Sequence, residues 1–186
     1  MTNPQPDGHR AIVRRGPRHP GIISRIMLIS QRRGLTMTDV GDTNSRADAD
    51  DPRHELWQRK ARHFESRVHF NRLCNLRVGQ WDDRQVVMHL PHAEQLCNST
   101  DGIHGGVVGA LADTCGTAAA LAATGADGFI ATVSMNINYL AAATTDLTAV
   151  GVCVKPGKRI QVSEVSVTDA NGRLVAKATI TSSLPS

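Results

Sequence analysis

Between His104 and about Thr124 the chain holds a Gly- and Ala-rich run in which Leu111, Cys115, Ala118 and Ala122 recur at helical spacing. Gly105, Gly106, Gly109 and Gly116 lie within it, and each costs about 1 kcal/mol relative to alanine in a helix interior, less near the ends. A helix open to solvent could hardly carry several such residues. A helix enclosed by a sheet could, because glycine lets another backbone come close. The run therefore predicts a buried helix with a sheet wrapped around it.

The flanking segments supply that sheet. Two short runs, Leu76–Trp81 and Gln85–Leu90, precede the helix and are joined by Asp82-Asp83. Four longer β-branched runs follow it: Phe129–Leu140, Asp146–Lys155, Lys158–Asp169 and Arg173–Ser182. Asn171-Gly172 between the last two is a strong hairpin signal. The apolar parity flips between Ile160-x-Val162 and Val165-x-Val167, which predicts a bulge near Ser163-Glu164. A first helix is expected from Asp51, its cap, to Arg67, with Pro52 in the first turn. His92–Gly102 reads as a polar loop. Two strands, one long helix and four antiparallel strands make an α+β domain, a curved sheet around a central helix.

That domain is expected over residues 52–186. Residues 1–51 carry Pro, Gly, Arg and Asp clusters without a sustained period and read as a disordered tail. Met37 leads smoothly into the domain and is a candidate start of translation, which an intact mass of the natively expressed protein would decide. The formal charge of +4 is unevenly placed: residues 1–36 hold seven Arg and one Asp, leaving 14 basic and 16 acidic groups in the remainder. The domain is thus mildly acidic and has no electrostatic footprint for nucleic acid. At 3% aromatic residues it also lacks a stacking surface for bases. No window approaches 18 apolar residues, so no membrane span is expected. The four Cys, at 74, 97, 115 and 153, match neither a zinc knuckle nor a redox pair. They read as reduced thiols of a cytoplasmic protein.

The chemistry-bearing stretch runs Asn98-Ser-Thr-Asp-Gly-Ile-His104-Gly105-Gly106 and on to Leu111-Ala112-Asp113. It delivers a loop of small polar residues into a helix start, where backbone N–H groups have no internal partner and the helix dipole is positive. Glycine at 105 and 106 leaves those donors uncovered, as an oxyanion hole requires. Asp113 shares a helix face with Gly106, Gly109, Ala110, Gly116 and Thr117, all small. A carboxylate on a buried helix needs a partner or water. Asp113 is therefore either catalytic or paired within a dimer interface. His104 either positions a substrate carbonyl and moves protons, or is satisfied by a backbone group at the helix start. Asn98 could be an ordinary turn residue. Thr132, read as mid-strand on the parity of Ser134, Asn136 and Asn138, could be an ordinary sheet hydroxyl. No phosphate loop or nucleophile elbow is present, and His89 and His92 lack a second ligand pair for a metal.

Asn98, Gly102-x-His104-Gly-Gly, Leu111-Ala112-Asp113 and Met135-Asn-Ile-Asn-Tyr together resemble the hotdog-fold thioesterase superfamily. The nearest branch is that of phenylacetate-degradation thioesterases and thioesterase superfamily members. The likeness runs from about residue 55 to 183. It implies hydrolysis of acyl-CoA at an active site shared by two protomers, with Asn98 and Gly105 of one facing Asp113 and Thr132 of the other. Gly105 N–H would polarise the thioester carbonyl, Asp113 would act as general base or nucleophile, and Asn98 and Thr132 would orient water. Gly106 would lie at the substrate, and Lys158 and Arg159 in the Gly157-Lys158-Arg159 turn would meet the CoA phosphates. The resemblance implies no metal or redox cofactor, and a homodimer paired into a dimer of dimers. Two rivals share the fold: an enoyl-CoA hydratase or dehydratase, and a non-catalytic acyl-CoA sensor. Residues 1–36 are too short and too rich in Pro and Gly for the helix-turn-helix a sensor would carry.

Overall fold

The computed structural model describes residues 53–185. The expectations for the tail, for Met37 and for the Asp51 and Pro52 helix start lie outside the described residues. Helix α1 spans His54–Ser66, followed by a short helix α2, His69–Leu73, which the sequence reading left out. Strands β1 (Arg77–Trp81) and β2 (Val86–Leu90) come next. Asp82 turns the chain between them, its Oδ1 accepting the N–H groups of Arg84 and Gln85. A single 3-10 turn, Glu94–Leu96, interrupts the expected loop. Helix α3 spans Gly105–Thr124. Strands β3 (Ala131–Tyr139), β4 (Leu147–Pro156), β5 (Ile160–Asp169) and β6 (Leu174–Ser183) complete the domain.

The six strands form one sheet in the order β1-β2-β4-β5-β6-β3, with every neighbouring pair antiparallel. The sheet curls around α3. Leu111, Cys115, Ala118 and Ala122 of the helix are buried with Met88, Leu90, Leu147, Val165, Val167 and Ile180 of the strands. The expectation that no window approaches a membrane span is corrected: by length and composition alone α3 is apolar enough to cross one, although most of it is enclosed by the sheet. Burying this many aliphatic side chains at about 1.5–3 kcal/mol each is the main force holding sheet to helix.

The expectation that glycine in this run lets another backbone come close is met only in part: at Gly116 a Cβ would come within 2.5 Å of Ile180 on β6, which is a side chain. The approach of one backbone to another occurs from the sheet side, at Gly151 of β4, where a Cβ would lie 2.8 Å from the Cys115 carbonyl oxygen. At Gly105 a Cβ would meet only the Tyr139 ring at 3.6 Å, an ordinary contact.

The bulge expected near Ser163-Glu164 is absent. β5 alternates without a break, turning Gln161, Ser163, Val165, Val167 and Asp169 inward. The irregularity lies on the neighbouring strand, between Cys153 and Lys155 of β4. The apolar parity misleads because Gln161 and Ser163 are wholly buried polar residues, whereas Ile160 faces out. Asn171-Gly172 does close the last hairpin. Gly172 adopts a φ of 76°, and Asp169 Oδ1 accepts the N–H groups of Asn171 and Arg173.

Candidate active site

His104 caps α3. Its backbone is extended (φ −59°, ψ 136°) and its Nδ1 accepts the Gly106 N–H at 3.0 Å. That bond places the ring proton on Nε2 and takes up one of the helix-start donors. The Gly105 N–H, by contrast, has no acceptor among the described residues. It sits in the first turn of a 20-residue helix, at the positive end of the dipole. Of the two glycine donors, the structure leaves Gly105 available and Gly106 occupied.

The preceding loop is held rigidly. Asn98 N–H donates to the Gly102 carbonyl at 2.7 Å, Ile103 N–H to Ala143, and His104 N–H to Leu96. Asn98 Oδ1 accepts from both the N–H and the hydroxyl of Thr100 (2.8 and 2.7 Å), and its Nδ2 has no partner among the described residues. Asn98, Gly102 and Gly105 line a cleft of about 230 Å³ together with Tyr139. The Tyr139 hydroxyl donates to the Gly105 carbonyl at 2.8 Å. Sequence reasoning used Tyr139 only as part of a motif. Its signal was its position on β3, opposite the buried Ala176 of β6, which turns it toward α3.

Asp113 and Thr132 line a different and larger cleft of about 620 Å³. The Thr132 hydroxyl donates to Asp113 Oδ1 at 2.7 Å, and Oδ2 has no partner among the described residues. This placement corrects the reading of Thr132. It is the second residue of β3, and it does not share the parity of Ser134. Thr132 pairs with Ser182 and Ser134 with Thr181, so one extra residue, Val133, is accommodated between them. Facing residues of paired strands lie on the same side, and Ser182 is buried against the core whereas Thr181 is not. The bulge therefore turns Thr132 toward the helix and leaves Ser134, Asn136 and Asn138 on the outer face.

The sequence-derived residues thus fall into two groups. Asn98, His104, Gly105 and Gly106 gather at the start of α3, and Asp113 and Thr132 meet further along it. Gly105 and Asp113 are eight residues apart on one helix, roughly 12 Å by the helical rise, too far to act on one carbonyl within one chain. Lys158 and Arg159 are exposed in the β4–β5 turn and line neither cleft. The other wall of the larger cleft comes from α1 and α2, which the sequence reading did not connect to the site. Asn71 of α2 holds that wall together, its Nδ2 donating to the Phe64 carbonyl at 3.0 Å.

A family model described as "Thioesterase superfamily" matches residues 102–176, which include the α3 start, Asp113 and Thr132. The Halobacterium salinarum protein named "Putative esterase VNG_1336C" is 33% identical over 90 residues, 46% of this chain and 60% of that protein's length. Zebrafish thioesterase superfamily member 2 is similar in structure, with a TM-score of 0.60 at 29% identity over 70% of this chain and 96% of that one. A Shewanella oneidensis protein described as related to the thioesterase superfamily has a TM-score of 0.66, with the same coverage and 22% identity, and bears on the fold alone. The sheet order, the enclosed helix and these likenesses agree: the chain has the hotdog fold, and its residues 102–176 resemble the thioesterase superfamily.

Proposed function

We propose that the protein hydrolyses acyl-CoA thioesters, as in the branch of phenylacetate-degradation thioesterases, at a site shared between two protomers. The observation that carries this reading is the Thr132–Asp113 hydrogen bond at the wall of the larger cleft. A carboxylate fixed through one oxygen, with the other open to a cleft, is a group that can take a proton from water or attack a thioester carbon. The zebrafish relative and the H. salinarum protein are named for the same broad chemistry.

The chemistry divides between the two groups of residues. The thioester carbonyl of the substrate rests against Gly105 N–H of one protomer, which stabilises the negative charge that develops on its oxygen. Asp113 of the other protomer deprotonates a water that Asn98 Nδ2 and Thr132 help to orient. The hydroxide adds to the carbonyl carbon, the C–S bond breaks, and the proton returns from Asp113 to the leaving thiolate. Direct attack by Asp113, with hydrolysis of the resulting anhydride, uses the same residues. His104 supports the site by holding the Gly106 N–H, and Lys158 and Arg159 meet the CoA phosphates from the β4–β5 turn.

The shared site is supported by the separation of its halves and by β3. Among the described residues that strand is an edge of the sheet, bonded only to β6, and it exposes Val133, Met135 and Tyr139. An unpaired edge with apolar side chains favours pairing with a second copy about a two-fold axis. Such pairing brings the Asn98–Gly105 half of each protomer against the Asp113–Thr132 half of its partner. Two such dimers then associate.

Release of free thiol from a panel of short, long and aryl acyl-CoA thioesters, with carrier-protein thioesters included, tests the reading. Thiol release from acyl-CoA supports it. Binding without release favours a sensor, and loss of an enoyl double bond without release favours a hydratase.

A further inference from the structure

We propose that the Asp113 cleft also reads the far end of the acyl chain, and that its preferred occupant ends in a carboxylate bound by Arg59, Lys60 and His63 of α1. This rests on the thioesterase reading above and adds a substrate class to it.

The cleft has a polar beginning, an apolar middle and a basic end. Asp113, Thr117 and Leu121 line it at four-residue intervals along α3, which spans roughly 12 Å by the helical rise. Phe64, Val68, Phe129 and Ile130 supply the apolar walls between. The uncharged polar side chains set in those walls are already engaged. Asn71 donates to Phe64 O and accepts from Thr114, and the Thr117 hydroxyl donates to the Asp113 carbonyl. A hydrocarbon chain suits such walls, whereas the amides of a pantetheine arm would find no free side-chain partner between Thr117 and Leu121.

The basic end lies on one stretch of α1, where residues at positions i, i+1 and i+4 all reach the cleft. Lys60 is only 9% exposed, so its ammonium depends on a nearby anion. The anion present is Asp127, whose Oδ1 lies 2.9 Å from Lys60 Nζ while its Oδ2 takes Arg59. Lys60 first, and then Arg59, hold the Asp127 carboxyl below its ordinary range. Two cations thus share one carboxylate, leaving one positive charge in excess at this end. A substrate carboxylate arriving along the apolar walls would supply the second anion through charge-assisted hydrogen bonds. A methyl end would leave the excess charge to solvent, to which Arg59 is 61% exposed.

The test compares octanoyl-CoA with the mono-CoA thioester of octanedioic acid on wild type, Lys60→Met, Lys60→Arg and Asp127→Asn. Wild type should favour the carboxylate-ended thioester in kcat/KM by about tenfold or more, since a site built for a polar group rejects the analogue that lacks it. Lys60→Met should erase that preference while octanoyl-CoA turnover stays within about threefold, and Lys60→Arg should keep it. Asp127→Asn frees both cations and should raise the preference, whereas a merely structural ion pair would lower stability in both variants and shift neither ratio. Circular dichroism identifies a variant that fails to fold; Lys60→Arg and Asp127→Asn then carry the comparison. Equal use of both thioesters, or a wild-type preference for octanoyl, overturns the proposal. So does a Lys60→Met loss shared by both CoA thioesters but absent from octanoyl-pantetheine, which would assign the cations to CoA phosphates. If no thioester is hydrolysed, the thioesterase reading fails on its own. Calorimetric binding of octanedioate against octanoate then decides the subsite: selective binding lost in Lys60→Met upholds it, and equal binding overturns it.

Discussion

The Thr132 hydroxyl donates to Asp113 Oδ1 at 2.7 Å, joining the first turn of an edge strand to the middle of the enclosed helix. The bond exists because β3 takes in an extra residue at Val133 against β6. In an unbroken strand the side chain at position 132 would face outward. The bulge thus sets both the orientation of the carboxylate and which of its oxygens is left open.

Changing Asp113 to Asn keeps size and hydrogen-bonding capacity but removes basicity and nucleophilic charge. Turnover of a competent acyl-CoA should fall by at least about 10²-fold, the usual scale for losing an acid–base group. Binding of a non-hydrolysable acyl-CoA analogue should change far less, because the lost interaction belongs to the transition state. Turnover within about threefold of wild type would mean that the carboxylate is structural.

Thr132 separates orientation from bulk. Thr132→Val keeps the shape and removes the donor, leaving the carboxylate free to rotate, and kcat should drop by about tenfold, the equivalent of one modest hydrogen bond. Thr132→Ser keeps the donor and should stay close to wild type. Equal losses in both variants would point to packing instead of the hydroxyl.

A site shared across a two-fold axis can be tested by complementation. Asp113→Asn and Asn98→Ala should each be nearly inactive alone. When the two chains are co-expressed, half of the dimers are mixed and each mixed dimer has one intact site of two, so about a quarter of wild-type turnover should return. No recovery in a population shown by mass to contain mixed dimers would place both residues in one protomer's site. Sedimentation should show a dimer or larger species at micromolar concentration.

Gly116 tests the enclosure of α3. A Cβ there would press within 2.5 Å of Ile180, and overpacking of this kind costs about 1–3 kcal/mol. Gly116→Ala should therefore lower the urea midpoint, although alanine is the better helix former. Gly105→Ala, with room beside Tyr139, should not. A Gly116→Ala protein as stable as wild type would show that the helix and β6 can move apart freely.

Asp169 ties the final hairpin to solution pH. The Arg173 N–H is the largest influence lowering its pKa, followed by the Asn171 N–H and the Arg173 guanidinium at 3.0 Å. Because the folded-state pKa lies below the ordinary carboxyl value of about 3.9, its contribution is fully present above that value. It is lost as pH falls through the lower folded pKa. Asp169→Ala should lower Tm at pH 7, and the gap to wild type should close on acidification below pH ~4. A gap that is constant from pH 7 to 3 would mean the carboxylate charge does not matter.

Much of the fold was legible because it is written in local periods. The helical recurrence of Leu111, Cys115 and Ala118, the alternation of β4 and β6, and Asn171-Gly172 each act over a few residues, where backbone geometry dictates the pattern. The enclosure of α3 followed as well, since so many glycines are tolerated only under a sheet. Where polarity and burial disagree, that reasoning failed. Gln161 and Ser163 are buried although polar, so the apolar parity of β5 pointed to a bulge that lies on β4.

By itself the sequence determined the elements, their order and the residues that cluster at the α3 start, because those residues are neighbours in the chain. Only the tertiary structure decided that Thr132 turns inward to Asp113, that Gly105 and Asp113 open into separate clefts, and that α1 lays Lys60 along the second of them. Each of these depends on a pairing register or a packing contact between segments far apart in sequence. A one-residue change of register reverses the face a side chain occupies, and no local pattern encodes where that change falls.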